Sequence, residues 1–375
     1  MVLPSYELIT TAARWQNCLT HLRDEPRLAI DLEANSMYAY RERVCLIQIS
    51  IPGRDFVIDP LANLELHGLG HLLADEEVEK VFHAAEYDLI LLKREYGWTL
   101  VNLFDTMWAV RILGYADVGL ASLTHKLYQV SLNKRHQRAN WCQRPLTAAQ
   151  LAYAQQDTHY LLPLRDRLAA ELLAADHWQE AQEIFREQCQ VNPADNHFDP
   201  DSFWTINGVK TLTRQEQAVL KALYIFRDEE AQRRNYPLFK IFGNKTLLDL
   251  AQNAPRSLDD LRAISGMTAG QIQRYGQRLL QVIEQGQRAQ PPNRPRRSKG
   301  PPDTVVRLYE KLHLWRKDRA RARGVESDVI LGRQAMWEIA HANPQTAEDL
   351  LKIKGLGPWR RQAYGAEILE VTSET

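Results

Sequence analysis

The second half of the chain carries an internal repeat that aligns without a gap. Arg227 matches Arg316, Ala231 matches Ala320, Pro255 matches Pro344, Leu261 matches Leu350, Ile264 matches Ile353 and Gly266 matches Gly355. Tyr275-Gly276 likewise matches Tyr364-Gly365, and every pair is displaced by 89 positions (227 to 316, 276 to 365). That many identities in one register mean one structural unit used twice. Apolar spacing inside each copy is helical, with no β-rich run. Ser257 and Thr346 each stand three residues before an acid, Asp260 and Asp349, which is the pattern of a capped helix start. Two all-α domains are therefore expected, at 201–289 and 303–375. The linker 290–302 (QPPNRPRRSKGPP) has five prolines, four cations and almost nothing apolar, so it reads as solvated chain of polyproline II character. The repeats are expected on a tether, and residues 1–200 must fold by themselves.

That first part alternates short apolar runs with helical patterns. Leu28-Ala29-Ile30, Val44 to Ser50 and Asp55 to Asp59 follow one another with no helix between them, which predicts an antiparallel meander. Val81-Phe82-His83 is a further short strand, and Leu89 to Leu92 belong to a helix that Gly97 ends. From there to about Leu173 the spacing is mostly helical. One helix is expected over Leu151 to Leu168, with Thr147 and Gln150 as its capping box. Strands first and helices after them predict an α/β layer.

Composition narrows the setting. No stretch approaches the roughly 18 apolar residues that span a bilayer, and the first 15 residues lack a secretory pattern. The four cysteines (Cys18, Cys45, Cys142, Cys189) are far apart with no CxxC pair, so reduced thiols in a cytoplasmic protein are expected. Lys plus Arg and Asp plus Glu both total 47, so a nucleic-acid partner has to be argued from where charges sit. No long apolar seam asks for a second subunit, and a monomer is expected.

Chemistry is suggested by five residues. Asp31 and Glu33 follow the Leu28-Ala29-Ile30 strand and, two apart, leave one face of it. Asp88 stands at the start of a helix, where it could also serve as a plain N-cap. Tyr153 and Asp157 are four apart on one helix face. Phosphodiester cleavage needs a nucleophile at neutral pH and charge stabilisation on the attacking and leaving oxygens. Two divalent ions roughly 4 Å apart supply both. Carboxylate oxygens favour hard ions such as Mg²⁺ or Mn²⁺. A free tyrosine, with a pKa of about 10, is a poor base. Tyr153 therefore reads as a group that orients the attacking water.

Together these segments resemble the DEDD family of 3′→5′ exonucleases, in the subclass with a tyrosine in its last motif, and within it the bacterial ribonuclease D family. The first motif is Asp31-x-Glu33 in IDLEANS, the second Tyr87-Asp88 in VFHAAEYDLILL, and the third Tyr153-x-x-x-Asp157 in LAYAQQDTHYLLPL. FDTMWAVRIL (104–113) and NWCQRPLT (140–147) are also similar to the family, and the two repeats are similar to HRDC domains. Relatives often carry Asn where this chain has Ala84-Ala85, and Ser-Asp where it has Ala139-Asn140 before Trp141. The resemblance implies a ribonuclease H-like fold and a two-metal hydrolysis with Asp31, Glu33, Asp88 and Asp157 as ligands. It also implies release of 5′-mononucleotides from RNA 3′ ends, with tRNA precursors and other small structured RNAs as substrates.

Other residues qualify as RNA contacts. Lys134, Arg135 and His136 form a basic stretch, with Trp141 nearby as a stacking surface. In the second repeat, Arg316 and Arg319 belong to a basic run. Lys354, Arg360 and Arg361 flank Gly355-Leu356-Gly357-Pro358, a turn that could offer backbone N–H groups to phosphate. The second repeat is therefore expected to bind RNA more strongly than the first. Asp105 reads as a helix N-cap and His83 as a structural histidine. Two rival readings are a DNA exonuclease and a binding scaffold with a decayed nuclease. The tandem repeats and the intact acid set argue against them.

Overall fold

In the computed structural model, residues 4–193, 197–295 and 300–373 are described. The chain divides into two compact units. One comprises Met1–Ala34, Val44–Pro193 and Lys299–Thr375; the other comprises Asn35–Arg43 and Ala194–Ser298.

The first unit begins as β1 (Glu7–Ile9), α1 (Ala12–Arg23), β2 (Arg27–Ala34), β3 (Val44–Ile51), β4 (Arg54–Ile58), α2 (His67–Leu73), β5 (Glu79–Phe82), α3 (Glu86–Tyr96) and β6 (Leu103–Asp105). It continues as α4 (Thr106–Ile112), α5 (Leu120–Tyr128), α6 (Ala148–His159), α7 (Leu161–Ala174) and α8 (Trp178–Gln188). The strands form one mixed sheet in the order β1-β4-β3-β2-β5-β6. The expected meander is present: β2 pairs antiparallel with β3, and β3 with β4. Every residue of β3 is buried, as a strand with both faces covered requires.

Several expectations are corrected. Strands β1 and β6 escape a pattern search because three residues cannot show an alternation; they exist by pairing with β4 and β5. Strand β5 stops at Phe82, so His83 lies just beyond the ladder. The single helix expected over Leu151–Leu168 is two, α6 and α7, meeting at Tyr160. Pro163 is the reason: inside a continuous helix its ring would meet the carbonyl four residues back, whereas in the first turn of α7 it fits. Residues 129–147, expected to be helical, are turns. They are fastened by Arg144, whose guanidinium reaches both oxygens of Asp59 at 2.7 Å and the carbonyls of Cys45 (2.7 Å) and Trp141 (2.6 Å). Beside this anchor Cys45 and Cys142, expected to be reduced, form a disulfide, while Cys18 and Cys189 are free. A separation of 97 residues hid their proximity.

The first repeat consists of α9 (Arg214–Arg234), α10 (Leu238–Ile241), α11 (Asn244–Asn253), α12 (Leu258–Arg262) and α13 (Ala269–Arg288). The second consists of α14 (Asp303–Arg323), α15 (Ser327–Ile330), α16 (Arg333–Ala342), α17 (Ala347–Leu350) and α18 (Pro358–Ser373). The starts of α9 and α14 (214 and 303) and of α13 and α18 (269 and 358) keep the offset of 89 read from the sequence. Of the expected linker 290–302, residues 296–299 lie outside the described residues. Within the second unit, Tyr40 fastens residues 35–43 to the first repeat: its hydroxyl donates to Asp228 (2.8 Å) and its backbone N–H to Asn235 Oδ1 (3.1 Å).

The second repeat is not loose on a tether. It packs in the first unit through three arginine clusters. Arg323 reaches both carboxylate oxygens of the fully buried Glu180 at 2.7 and 2.9 Å. Arg360 contacts Glu187 at 2.7 Å and Glu183 at 3.4 Å, and Arg111 contacts Asp328 at 2.6 Å. Removing one partner of such a pair leaves the other charge buried and uncompensated. Glu180→Ala is therefore expected to lower stability by about 3 kcal/mol. Urea unfolding followed by tryptophan fluorescence measures this, and a loss below about 1 kcal/mol would mean that water replaces the carboxylate.

Candidate active site

The cleft forms where strand ends meet helix starts. Asp31 and Glu33 leave β2 on one face, opposite Gln48 and Leu46 of β3 in the antiparallel register. Tyr153 and Asp157 come from α6, which packs across β2, β3 and β4. This helix is positioned by Asp55 of β4, a buried acid that accepts from Ser50 Oγ (2.6 Å), Gln155 Nε2 (2.6 Å) and His159 Nδ1 (2.8 Å). Asp88 sits in the first turn of α3, whose N-cap is Ala85 rather than Asp88 itself. The turn before α3 is held by Asp105. Besides capping α4 through Met107 and Trp108, its carboxylate accepts the N–H groups of Ala84 (3.0 Å) and Ala85 (2.8 Å). Ala84 stands at φ 64, a left-handed conformation that a non-glycine residue holds only when its surroundings enforce it.

Asp31, Glu33 and Asp157 place carboxylate oxygens within 4.8 Å of one another. They line a cleft of about 370 Å³ with Tyr153, His83, Asn133, Lys134 and Gln137. Asp88 is buried outside that group of three, yet close enough to feel the charges of Asp31 and Asp157. Burial pushes the Asp31 carboxyl up to about 7, against the pull of the Leu32 backbone N–H. Glu33 rises to about 10, through burial first and then the charges of Asp31, Asp157 and Asp88. Asp88 and Asp157 are raised as well, again mainly by burial. Among the described residues, no lysine or arginine draws these carboxyls back down. Next to Asp31, the amide of fully buried Gln48 has no partner among the described residues. Hard oxygen donors crowded without a counter-charge, beside an unsatisfied amide, fit a divalent cation.

Tyr153 is raised by burial and then by Asp157, Glu33 and Asp31, so its hydroxyl keeps its proton at neutral pH. The ring lies 5.8 Å from Trp141 and edge-on to His136 at 6.0 Å. Among the expected RNA contacts, Lys134 lines the cleft, His136 borders Tyr153, and Arg135 is exposed on the same loop. Trp141 must be corrected: at 1% exposure it is a packing surface for Tyr153 and offers no face to RNA.

The expectation for the second repeat also changes. Arg316 donates to the Leu331 carbonyl, Arg319 pairs with Glu367, and Arg361 donates to the Leu356 carbonyl. Arg360, 2% exposed, is consumed by Glu183 and Glu187, leaving Lys354 exposed. The turn at Gly355–Pro358 does hold an anion, but the anion is the protein's own. Glu183 accepts the Trp359 N–H at 2.7 Å, and its carboxylate leaves no room for a Cβ at Gly357. Asp55, Gln48 and the bracing role of Asp105 were missed from sequence. Buried acids and amides carry no motif of their own, and only the three-dimensional partners reveal them.

A sheet with acids at its strand ends and a helix-borne tyrosine above them is the arrangement of a 3′→5′ exonuclease. The 3′-5′ exonuclease family matches residues 6–173, and the HRDC domain family matches residues 216–283 and again 306–372. Ribonuclease D of Gluconacetobacter diazotrophicus is 31% identical over 378 residues, covering 98% of this chain and 92% of that protein. The catalytic core of RRP6 from Trypanosoma brucei is 29% identical with a TM-score of 0.68, covering 76% of this chain and 80% of that one. Escherichia coli RNase D shares the fold over 99% of both chains at 23% identity and a TM-score of 0.68. The chain belongs to the ribonuclease D family, whose exonucleases generally use divalent metals, and is a 3′→5′ exoribonuclease. Among the described residues, no helix is long and apolar enough to cross a membrane.

The acid cluster has a consequence for stability without metal. An acid whose pKa rises from 3.8 to about 7 on folding, as at Asp31, favours the folded state below pH 3.8, and that contribution is lost as pH climbs to about 7. In chelator, Asp31→Asn is expected to be more stable than the parent at pH 8 by on the order of 1–3 kcal/mol, with the gap closing at pH 4. Urea unfolding at both pH values reads the difference. Equal or lower stability of the variant at pH 8 would show that the cluster carries no such strain.

Proposed function

We propose that Asp31, Glu33, Asp88 and Asp157 together hold two divalent cations, Mg²⁺ or Mn²⁺, and that this cleft hydrolyses the terminal phosphodiester of RNA to release 5′-mononucleotides. The observation that carries this reading is the approach of Asp31, Glu33 and Asp157 within 4.8 Å of one another, in surroundings that raise each carboxyl by burial. Bound there, the cations would activate water and neutralise charge on the attacking and leaving oxygens. The remaining work falls to the chain itself. Tyr153, held protonated among carboxylates, orients the attacking water by a hydrogen bond and does not act as the base. Its ring is fixed by Trp141 and His136. Lys134, at the mouth of the cleft, steadies a substrate phosphate.

Residues 1–200 would form the catalytic domain, 201–289 the first HRDC-like domain, 290–302 the linker and 303–375 the second HRDC-like domain. The substrates we propose are 3′ ends of tRNA precursors and other small structured RNAs. Support comes from the family and from the Escherichia coli relative, an exoribonuclease involved in structured RNA processing. The protein would act as a monomer in the cytoplasm.

A 5′-labelled RNA with an unpaired 3′ tail, beside a matched DNA, tests the reading. Stepwise shortening from the 3′ end is expected with Mg²⁺ and is abolished by EDTA or Asp31→Ala. Tyr153→Phe should lose about 100-fold in rate while still binding cation. Binding of RNA without metal-dependent shortening would identify a scaffold, faster loss of the DNA a DNA exonuclease, and a fully active Tyr153→Phe would remove the role of Tyr153.

A further inference from the structure

His83 lines the catalytic cleft beside Asp31, Glu33, Tyr153 and Asp157, yet nothing in the reaction so far uses it. Its tautomer can be worked out. The Thr106 hydroxyl lies 3.0 Å from the Phe82 carbonyl, and a carbonyl only accepts, so the hydroxyl proton points there. The same oxygen lies 2.9 Å from His83 Nδ1, and with its proton committed it accepts from that nitrogen. Nδ1 therefore carries the ring proton, and Nε2 presents a bare lone pair. Thr106 is fully buried and His83 stands at the end of β5, so the pair is fixed by the fold rather than by solvent. No described residue donates to Nε2. Burial also lowers the imidazolium to about 4, so the ring stays neutral at working pH.

A neutral acceptor in a cleft of carboxylates has nothing to offer a phosphate, which accepts only. It suits a hydroxyl donor, and an RNA 3′ end brings two to the cleft, the 2′-OH and 3′-OH of its last ribose. We propose that His83 Nε2 accepts a hydrogen bond from a ribose hydroxyl of the 3′-terminal nucleotide, so that His83 is a specificity-determining residue for ribose. Thr106 is the positioning residue that sets the tautomer. The assignment rests on the reading that this cleft seats an RNA 3′ end.

His83→Asn tests it, because an asparagine amide can still donate toward Thr106 but has no atom at the Nε2 position. Single-turnover rates are compared on one RNA ending in a ribo, a 2′-deoxy or a 3′-deoxy nucleotide. The parent should favour the ribo end over one of the deoxy ends by about 5–10-fold, the effect of one hydrogen bond. In His83→Asn that ratio should fall to about 2-fold or less. Which deoxy end shows the change identifies the hydroxyl. Thr106→Val, which removes the acceptor for Nδ1, should weaken the same ratio. Unchanged ratios in His83→Asn would overturn the proposal. So would an equal loss on all three ends with a raised cation requirement, since that would mark His83 as part of the metal site. Failure of the parent to shorten the ribo RNA would instead count against the exonuclease reading of the cleft.

Discussion

The structure is organised around a repulsion. Four acids converge at the ends of β2, α3 and α6; burial drives all of them above the ordinary carboxylate range, and neighbouring acids add to the rise at Glu33, Asp88 and Asp157. Left to themselves, side chains at these distances would turn outward into water. They stay because each is held by an element committed elsewhere. Strand β2 is paired on both sides, α6 is bonded through Gln155 and His159 to Asp55, and the turn before α3 is held by Asp105. Holding the acids together in this way has a cost in stability that the rest of the fold absorbs.

The same logic of opposite charge, used the other way, attaches the second repeat. Glu180, Glu183 and Glu187 on α8 meet Arg323 and Arg360 of the repeat, and Asp328 of the repeat meets Arg111 of α4. Of the basic residues that look in sequence like an RNA-binding surface, Arg360 is consumed in that contact, whereas Arg316, Arg319 and Arg361 bond within the repeat itself. The start of α18 is capped by Glu183, which accepts the Trp359 and Arg360 N–H groups in the place a phosphate would take. The second repeat is thus braced against the catalytic layer. The two repeats share their helices but not their surroundings.

What was legible in sequence follows from how local each signal is. Asp31 and Glu33 could be read because a spacing of two on a strand fixes a common face, and Gly97 because a left-handed C-cap favours glycine. The capping box of Thr147 and Gln150 formed as read, for the same reason. Signals that depend on distant partners were lost. Three-residue strands, the pairing of Cys45 with Cys142, the burial of Trp141 under Tyr153 and the consumption of Arg360 by α8 are all set by contacts across the fold. The residues that brace the site, Asp55 and Asp105, belong to that class too. A buried acid looks like a surface acid until its donors are known.

The central claim is that the strained acids exist to hold metal. Crystals grown with Mn²⁺ and a non-hydrolysable RNA 3′ end, measured for anomalous scattering, test it directly. Strong peaks are expected between Asp31, Glu33 and Asp157, with Asp88 drawn into the coordination. Carboxylates that remain metal-free while Mn²⁺ binds elsewhere, or a single protonated cluster with RNA seated beside it, would contradict it.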